Sequence, residues 1–249
     1  MQGYGPSSYG DGFADVYDDW YADVSDVGAT VSAVAELVAA AGGGPVLELG
    51  VGTGRLAVPI AERGLTVHGI DTSTAMLDRL RAKDPDGRVT THVGDMVDDL
   101  PAGPFAVALV AYNTLFNLTA PGRQAACFAA VADRLAPGGR FVVEAFVPDD
   151  PQAADDQVRV RSLHADRVVL SVSVHHPDDR IAEGQFVELS ATDGVRMRPW
   201  MIRYATPEEL DRMAHAAGFA LEHRWRTFAQ RNWEVQDDRH VSVYHLARS

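Results

Sequence analysis

The first 150 residues alternate short apolar runs with segments of helical periodicity. The apolar runs predict strands at 45–50, 65–71, 88–93, 105–112 and 139–147. The segments between and before them predict helices at 30–41, 54–63, 75–83 and 123–135, and the last is followed by the helix stop Ala136-Pro137-Gly138-Gly139. Repeated strand, helix, strand units at this spacing predict a doubly wound parallel sheet.

After residue 147 the pattern changes to alternating polar and apolar positions with turn residues between the runs. These runs predict strands at 158–163, 167–175, 181–190 and 195–204. Because no helical pattern separates them, we expect them to pair antiparallel. A capped helix from 206 to 217 and strands at 219–226 and 241–246 then return to the main sheet.

The predicted architecture is one α/β domain over residues 1–249, with a doubly wound Rossmann-like sheet of seven strands. The core spans 30–150, an inserted antiparallel β-sheet spans 151–204, and 205–249 supply the closing helix and strands. Residues 1–29 precede the core. An exposed edge of the inserted sheet offers pairing to a second copy, which leaves a homodimer as an open prediction.

Composition narrows the class of protein. The chain has 46% hydrophobic and 23% charged residues, which is typical of an ordinary globular domain. The 35 acidic residues against 22 basic ones give a net charge of −13, which disfavours nucleic acid and anionic membranes as partners. No apolar run approaches the roughly 18 residues that cross a bilayer, and the start lacks a secretory signal. With Cys127 as the single cysteine, we expect a cytoplasmic protein.

The most informative motif is Val46-Leu47-Glu48-Leu49-Gly50-Val51-Gly52-Thr53-Gly54, an apolar strand followed by three alternating glycines. In an open α/β sheet the ligand crevice lies at this carboxyl end of the first strand. A dinucleotide-binding loop would place a small residue where Arg55 stands. Glu48 would repel a pyrophosphate and attract an ammonium group. These two residues disfavour a nicotinamide-dependent oxidoreductase, which stays as the alternative.

Two further acids follow the next two predicted strands. Asp71 is placed to accept hydrogen bonds from both hydroxyls of a ribose. Asp95 is placed to receive an adenine amino group, with Met96 packing against the ring. A nucleoside with a positive, phosphate-free tail, such as S-adenosylmethionine, fits all three acids.

These motifs, with Gly69-Ile70-Asp71, Gly94-Asp95-Met96 and Leu135-Ala136-Pro137-Gly138-Gly139, resemble the class I S-adenosylmethionine-dependent methyltransferases. The resemblance implies S-adenosylmethionine as cofactor, S-adenosylhomocysteine as product and a small-molecule methyl acceptor. It also implies roles at the cofactor. Contacts to the methionine part, the ribose, the adenine and the sulfonium fall on Glu48, Gly50, Gly52, Asp71, Thr72, Met76, Asp95, Met96, Ala111 and Tyr112.

Residues Phe13-Ala14-Asp15-Val16-Tyr17-Asp18, followed by Tyr21, resemble the start of small-molecule N-methyltransferases, especially those that act on nucleotide-linked amino sugars in antibiotic pathways. The resemblance implies that residues 1–29 form a lid from which Tyr17 or Tyr21 reaches the cofactor carboxylate. It favours nitrogen over oxygen as acceptor and a role in specialised metabolism. A non-catalytic protein that binds S-adenosylmethionine is the other alternative.

A general base matters only for an acceptor that carries a proton at neutral pH. Candidate catalytic residues are Tyr112, Glu144 and His175, although Glu144 also suits a strand-end acid that accepts bonds from backbone amides. No metal is expected, because His175, His176, Asp178 and Asp179 share one turn and cannot all converge on an ion. Cys127, on a predicted helix, is interpreted as a buried thiol.

Aromatic and polar side chains near strand ends are candidates for the acceptor pocket, with core packing as the competing interpretation of the aromatic ones. They are Trp20, Asn113, Phe116, Phe146 and Trp200. Arg196, Arg198 and Arg203 alternate along one predicted strand, and a solvated face is favoured there over a grip on an anionic acceptor. Tyr112-Asn113-Thr114 departs from the Asn-Pro-Pro-Tyr motif of nucleic-acid amine methylation, which argues against a nucleic-acid substrate.

Overall fold

The computed structural model describes residues 1–148 and 156–247. The predicted boundary between core and insertion, at 150 and 151, lies outside them. A seven-stranded sheet has the order β10-β11-β5-β4-β1-β2-β3, and a separate four-stranded sheet has the order β6-β7-β8-β9. The fold class predicted from the sequence is therefore confirmed.

The main sheet is parallel except at one side, where β11 pairs antiparallel with both β10 and β5. Its strands are β1 (Val46–Leu49), β2 (Val67–Asp71), β3 (Val89–Val93), β4 (Phe105–Val110), β5 (Leu135–Phe146), β10 (Phe219–Trp225) and β11 (Arg239–Leu246). The helices are α1 (Ser8–Phe13), α2 (Tyr17–Trp20), α3 (Val27–Ala40), α4 (Ala57–Glu62), α5 (Thr74–Lys83), α6 (Arg123–Ala132) and α7 (Pro207–Ala216). Two apolar layers, one on each face of the sheet, form the core.

The junction between α6 and β5 differs from the prediction. The helix ends at Ala132, and the segment 136–139 lies inside β5 instead of forming a helix stop. The reason is that the amide of Phe105 donates to the carbonyl of Arg134 at 2.8 Å, which draws the chain into the sheet directly after the helix.

The inserted sheet consists of four antiparallel strands, β6 (Gln157–Leu163), β7 (Arg167–His176), β8 (Ile181–Ser190) and β9 (Gly194–Arg203). The N-terminal segment, residues 1–29, packs between this sheet and the carboxyl ends of the main strands. Phe13 is fully buried there, in contact with Tyr9, Trp20 and Phe186.

The solvated-face interpretation is wrong for Arg198. Its guanidinium is buried and donates to both carboxylate oxygens of Asp15, at 2.6 and 3.0 Å, and to the carbonyl of Gly12. Arg196 stays exposed and pairs with the same Asp15, whereas Arg203 donates to the carbonyl of Thr119 at 2.6 Å. A charge removed from water needs such partners, and here they come from the N-terminal segment.

In the described parts of the chain, no helix is long and apolar enough to cross a bilayer. Residues 1–148 and 156–247 also hold no group of three side chains suited to a metal ion. Cys127 is buried, and burial raises the pKa of its thiol to about 12.

Candidate functional site

A cavity of about 240 Å³ opens at the carboxyl ends of β1, β2 and β3. Residues of the N-terminal segment, among them Tyr4, Tyr9 and Tyr17, also line it. Its walls include eight residues predicted from the sequence as cofactor contacts: Tyr17, Gly50, Gly52, Asp71, Thr72, Met76, Asp95 and Met96. The other four, Tyr21, Glu48, Ala111 and Tyr112, are not among the residues that line it. The glycine loop, the end of β2 and the end of β3 thus converge on one crevice, as the sheet topology requires.

The glycine loop passes close to the short 3₁₀ helix Thr114–Asn117. Gly50 has φ +64°, and a Cβ on it would lie 2.2 Å from Cγ2 of Thr114. Only glycine satisfies both the left-handed backbone and this close approach. The loop therefore presents bare backbone to the cavity.

The carboxylate of Asp71 stands at the end of β2 in the cavity wall. It accepts hydrogen bonds from the amides of Gly52 and Ser73, both at 2.9 Å. Burial raises its pKa, and the two amide bonds act in the opposite direction. Asp71 therefore connects the glycine loop to the start of α5 while its side chain faces the cavity.

Asp95 is held by a residue that the sequence reasoning missed. Arg123, the first residue of α6, donates to Oδ1 of Asp95 at 2.6 Å and also lines the cavity. The amide of Val97 donates to the same oxygen at 2.8 Å. The missed signal was an arginine at the start of a helix that follows the fourth strand.

Four tyrosines cluster where the N-terminal segment meets the end of β4. The hydroxyl of Tyr9 donates to that of Tyr21 at 3.2 Å, and the ring of Tyr21 lies 4.8 Å from Tyr17 and 5.5 Å from Tyr112. Burial raises the pKa values of Tyr9, Tyr17 and Tyr112. These three phenols therefore stay neutral, and the cluster offers oxygen acceptors and electron-rich ring faces, which attract cations.

Glu48 is buried on β1, and its Oε2 has no hydrogen-bond partner among residues 1–148 and 156–247. Burial raises its pKa to about 8, against the attraction of Arg55. A buried acceptor without a donor fits a ligand that carries an ammonium group nearby. Without a ligand Glu48 is therefore mostly protonated at neutral pH, and the charge preference inferred from the sequence stays a prediction.

The raised pKa of Glu48 predicts a pH dependence of stability. The unfolded chain loses the proton near the usual pKa of 4.5, whereas the folded chain keeps it up to about 8. Between these values the folded state binds more protons, so the free energy of unfolding should fall as pH rises from about 5 to 8. Denaturant unfolding at several pH values would show this decline in the native chain and a flatter profile in Glu48→Gln. The exposed Glu62→Gln is the matched control, and an equal slope in all three proteins would contradict the assignment.

The N-terminal segment is fastened to the cavity rim by side-chain hydrogen bonds. Thr72 donates to the carbonyl of Pro6 at 3.1 Å, Ser73 donates to Asp11 at 2.6 Å, and Thr53 donates to Asp18 at 2.6 Å. The segment is thus attached to both the glycine loop and the start of α5.

The closest approach in this contact is at Gly10, where a Cβ would lie 2.4 Å from Cβ of Ser73. We expect Gly10→Ala to displace the N-terminal segment and to weaken cofactor binding about tenfold, as measured by calorimetry. Gly12→Ala, in the same helix and not in the cavity wall, is the control, because its Cβ would meet nothing closer than 3.9 Å. Equal affinities of the two variants would show that this contact does not shape the cavity.

The three predicted catalytic side chains do not meet at the cavity. Oε2 of Glu144 accepts a hydrogen bond from the amide of Tyr112 at 2.9 Å, as the strand-end interpretation expects. Tyr112 and Asn113 both have positive φ, and Oδ1 of Asn113 accepts from the amide of Phe146 at 2.7 Å. These bonds hold an uncommon backbone conformation at the end of β4. His175 lies on β7, with its ring 5.1 Å from that of Tyr204.

None of the five predicted acceptor residues is among those that line the cavity. Phe116 is fully buried in the core against Phe146, at 5.3 Å between ring centroids, which matches the competing core interpretation. Trp20 packs on Phe186, and Trp200 lies on β9 opposite Gly184. Wall residues missed by the sequence reasoning come largely from before residue 13 and after the 3₁₀ helix: Tyr4, Gly5, Pro6, Tyr9, Gly10, Leu118, Thr119, Ala120 and Met201. The only indication of these wall residues in the sequence was the aromatic and glycine-rich composition of the first ten residues.

Comparison with known proteins agrees with this geometry. Residues 46–139 match a family model described as a methyltransferase domain. An uncharacterized methyltransferase from Geobacillus kaustophilus is 31% identical over 151 residues, which cover 59% of this chain and 68% of that protein. The chain belongs to the class I S-adenosylmethionine-dependent methyltransferases.

Two further relatives of this methyltransferase extend the match. The solved structure of the CcbJ methyltransferase from Streptomyces caelestis is 38% identical and covers 98% of this chain and 100% of its own, with a TM-score of 0.90. The cypemycin N-terminal methyltransferase from a Streptomyces species is 29% identical over 184 residues, 72% of this chain and 74% of that protein. The nicotinamide alternative is therefore set aside, and S-adenosylmethionine is the cofactor.

Proposed function

We propose that this methyltransferase transfers a methyl group to a nitrogen of a small-molecule amine in specialised metabolism. One observation carries the choice of nitrogen. In the described chain, the cavity is lined by the phenols of Tyr4, Tyr9 and Tyr17, whose pKa values burial raises, and by no histidine or glutamate. Its two aspartates, Asp71 and Asp95, already accept hydrogen bonds from backbone amides and from Arg123. Such a wall suits an acceptor that arrives as a neutral free base, whereas a phenol acceptor would need a base to take its proton. The relative named as an N-terminal methyltransferase acts on an amine, which supports the same choice.

The residues present fit the cofactor. Bare backbone at Gly50 and Gly52, the carboxylate of Asp71 and the unpartnered oxygen of Glu48 would hold the methionine part and the ribose. Asp95 with Met96 would frame the adenine. When bound, S-adenosylmethionine supplies an electrophilic methyl group on a positively charged sulfur.

The chain itself supplies position and exclusion of water. The N-terminal segment covers the crevice, so reactants enclosed under it are shielded from solvent. The tyrosine cluster offers phenol oxygens to an amine N–H and ring faces to the positive charge that an amine carries after methylation. Tyr17 and Tyr21 are proposed to serve the cofactor, Tyr112 to stand between cofactor and acceptor, and Trp20 to stiffen the lid.

The remaining predicted residues are proposed in supporting roles. Glu144 and Asn113 position Tyr112 through the bonds at the end of β4, and Phe116 and Phe146 support that strand end from below. Trp200 and His175 contribute through the inserted sheet. None of these needs to exchange a proton with the acceptor in this scheme.

A screen of acceptors tests the proposal. The native protein, S-adenosylmethionine and matched sets of primary amines, secondary amines, phenols and carboxylates would be followed by the S-adenosylhomocysteine formed and by the mass of the methylated product. We expect methylation of amines, with a rate that rises with pH as the acceptor loses its proton. Methylation confined to phenols or carboxylates would contradict the choice of nitrogen. Cofactor binding without turnover on any acceptor would favour the non-catalytic alternative.

A further inference from the structure

Arg55, which follows the glycine loop, is a cation without an acidic partner. Its Nη1 donates to Oγ of Ser25 at 2.5 Å, and its Nε is buried without a hydrogen-bond partner in the described chain. The guanidinium also makes no ion pair with a carboxylate of residues 1–148 and 156–247. Since buried N–H groups are nearly always bonded, the free edge formed by Nε and Nη2 indicates an acceptor that comes from outside the chain.

The guanidinium of Arg55 lies against the tyrosine cluster. Its Cζ is 6.0 Å from the ring centroid of Tyr112. Burial raises the pKa values of Tyr17 and Glu48, and the positive charge of Arg55 acts against the increase at both groups. Arg55 is therefore close to Tyr17, which lines the cavity, and to Glu48 on β1, yet it bonds to neither of them in the described chain.

Glu48 and Arg55 leave buried atoms of opposite character without partners. Oε2 of Glu48 is an acceptor, and Nε of Arg55 is a donor. A direct ion pair would satisfy both side chains, but the two do not form one. A ligand group with both signs of charge would satisfy them together, with an ammonium beside Glu48 and a carboxylate beside Arg55. An α-amino acid group carries these two charges on substituents of one carbon atom.

The order of the strands in the main sheet agrees with this position. The strands β3, β2, β1 and β4 lie side by side, and their ends are followed by Asp95, Asp71, Gly50 and Tyr112 in that order. With the adenine at Asp95 and the ribose at Asp71, the methionine part of S-adenosylmethionine has to lie over β1 and toward β4. Arg55 stands at this end of the row, against Tyr112.

We propose that Arg55 binds the carboxylate of the cofactor's methionine part, while Glu48 binds its ammonium. The resemblance of the N-terminal segment assigned this carboxylate to Tyr17 or Tyr21. A neutral phenol donates one hydrogen bond and supplies no opposite charge, whereas a guanidinium supplies two parallel donors and a permanent positive charge. Arg55 therefore makes the main interaction, and a tyrosine makes a supporting one. The proposal concerns the cofactor and goes beyond the choice of methyl acceptor.

Calorimetric titration with two ligands that differ in one group tests the proposal. S-adenosylhomocysteine has the carboxylate, and its decarboxylated analogue lacks it but keeps the ammonium. We expect the native chain to bind S-adenosylhomocysteine about tenfold to a hundredfold more tightly than the analogue. Arg55→Met should bind the two ligands with nearly equal affinity, because it lacks the group that recognises the carboxylate. No acceptor is present, so the result does not depend on whether nitrogen is methylated.

Two control variants separate recognition of the carboxylate from other effects. Arg63→Met makes the same change at the exposed end of α4 and should keep the native preference. Glu48→Gln should also keep the preference for the carboxylate, because it changes only the partner of the ammonium. Circular dichroism would establish that each variant is folded. Arg55→Gln is a second uncharged variant with the same expected result as Arg55→Met, so a folding defect in one of them does not decide the outcome.

Two results would overturn the proposal. An equal loss of affinity for both ligands in the Arg55 variants, with the preference unchanged, would show that Arg55 only holds the N-terminal segment through Ser25. A native chain that binds S-adenosylhomocysteine and the decarboxylated analogue equally well would show that no group of the protein recognises the carboxylate.

Discussion

Asp71→Ala is expected to weaken the binding of S-adenosylmethionine and S-adenosylhomocysteine by about a hundredfold or more. A hydrogen bond to a charged group contributes about 1.5–3 kcal/mol, and the ribose offers two hydroxyls, while about 1.4 kcal/mol corresponds to a tenfold change in affinity. Isothermal titration calorimetry would measure the change.

Asp71 also accepts bonds from the amides of Gly52 and Ser73, so its removal affects the glycine loop as well as the ribose. A ligand that lacks the hydroxyls separates the two effects. Adenosine should bind the native chain more tightly than 2′,3′-dideoxyadenosine does, and this difference should vanish in Asp71→Ala. Asp78→Ala, on the exposed side of α5, is the control and should bind like the native chain. A preference for adenosine that persists in Asp71→Ala would remove Asp71 from the ribose site.

Arg198→Met is expected to lower the free energy of unfolding by about 2–3 kcal/mol. Removing one partner of a buried ion pair costs about 3–5 kcal/mol, and the loss is smaller here because Asp15 is 35% exposed, regains water and keeps its pair with Arg196. The loss also loosens the contact between the N-terminal segment and the inserted sheet, because the bonds to Asp15 and Gly12 both end in that segment. Urea unfolding would measure the stability, and limited proteolysis would measure the release of residues 1–29.

The neighbouring Arg196→Met is a matched control for this prediction. Arg196 lies on the same strand and pairs with the same Asp15 at 2.6 Å, but its side chain is 63% exposed. An exposed ion pair contributes about 0–1 kcal/mol. Equal losses in the two variants would show that burial of Arg198 does not matter, and an unchanged proteolysis pattern in Arg198→Met would show that this arginine does not hold the segment.

Eight residues of the cavity wall could be predicted from the sequence, most of them because they lie at or just after strand ends. Gly50, Asp71 and Asp95 each follow an apolar run, and parallel strands bring their carboxyl ends to one edge. Tyr9 and Arg123 could not be placed in this way. Tyr9 lies in the N-terminal segment, whose position depends on contacts with α5 and β9. The position of the Arg123 side chain depends on the residue at which α6 begins.

The acceptor side was harder to predict for a related reason. Phe116 and Glu144 sit at the right strand ends by sequence position. The choice between core, backbone support and cavity wall depends on side-chain direction, which the sequence pattern does not contain. In the structure Phe116 packs in the core, and Glu144 accepts a hydrogen bond from the amide of Tyr112.

The sequence by itself determined the fold class, the cofactor and the edge of the sheet at which the cavity opens, because hydrophobic period and strand-end chemistry are local properties. The tertiary structure alone decided which face of the inserted sheet points outward, where the N-terminal segment lies, and that Arg198 is buried under it. Each of these depends on packing between elements far apart in the chain. The alternation of polar and apolar residues along a strand does not say which face of the sheet packs on the rest of the molecule. That depends on the elements that lie next to the sheet in the folded chain.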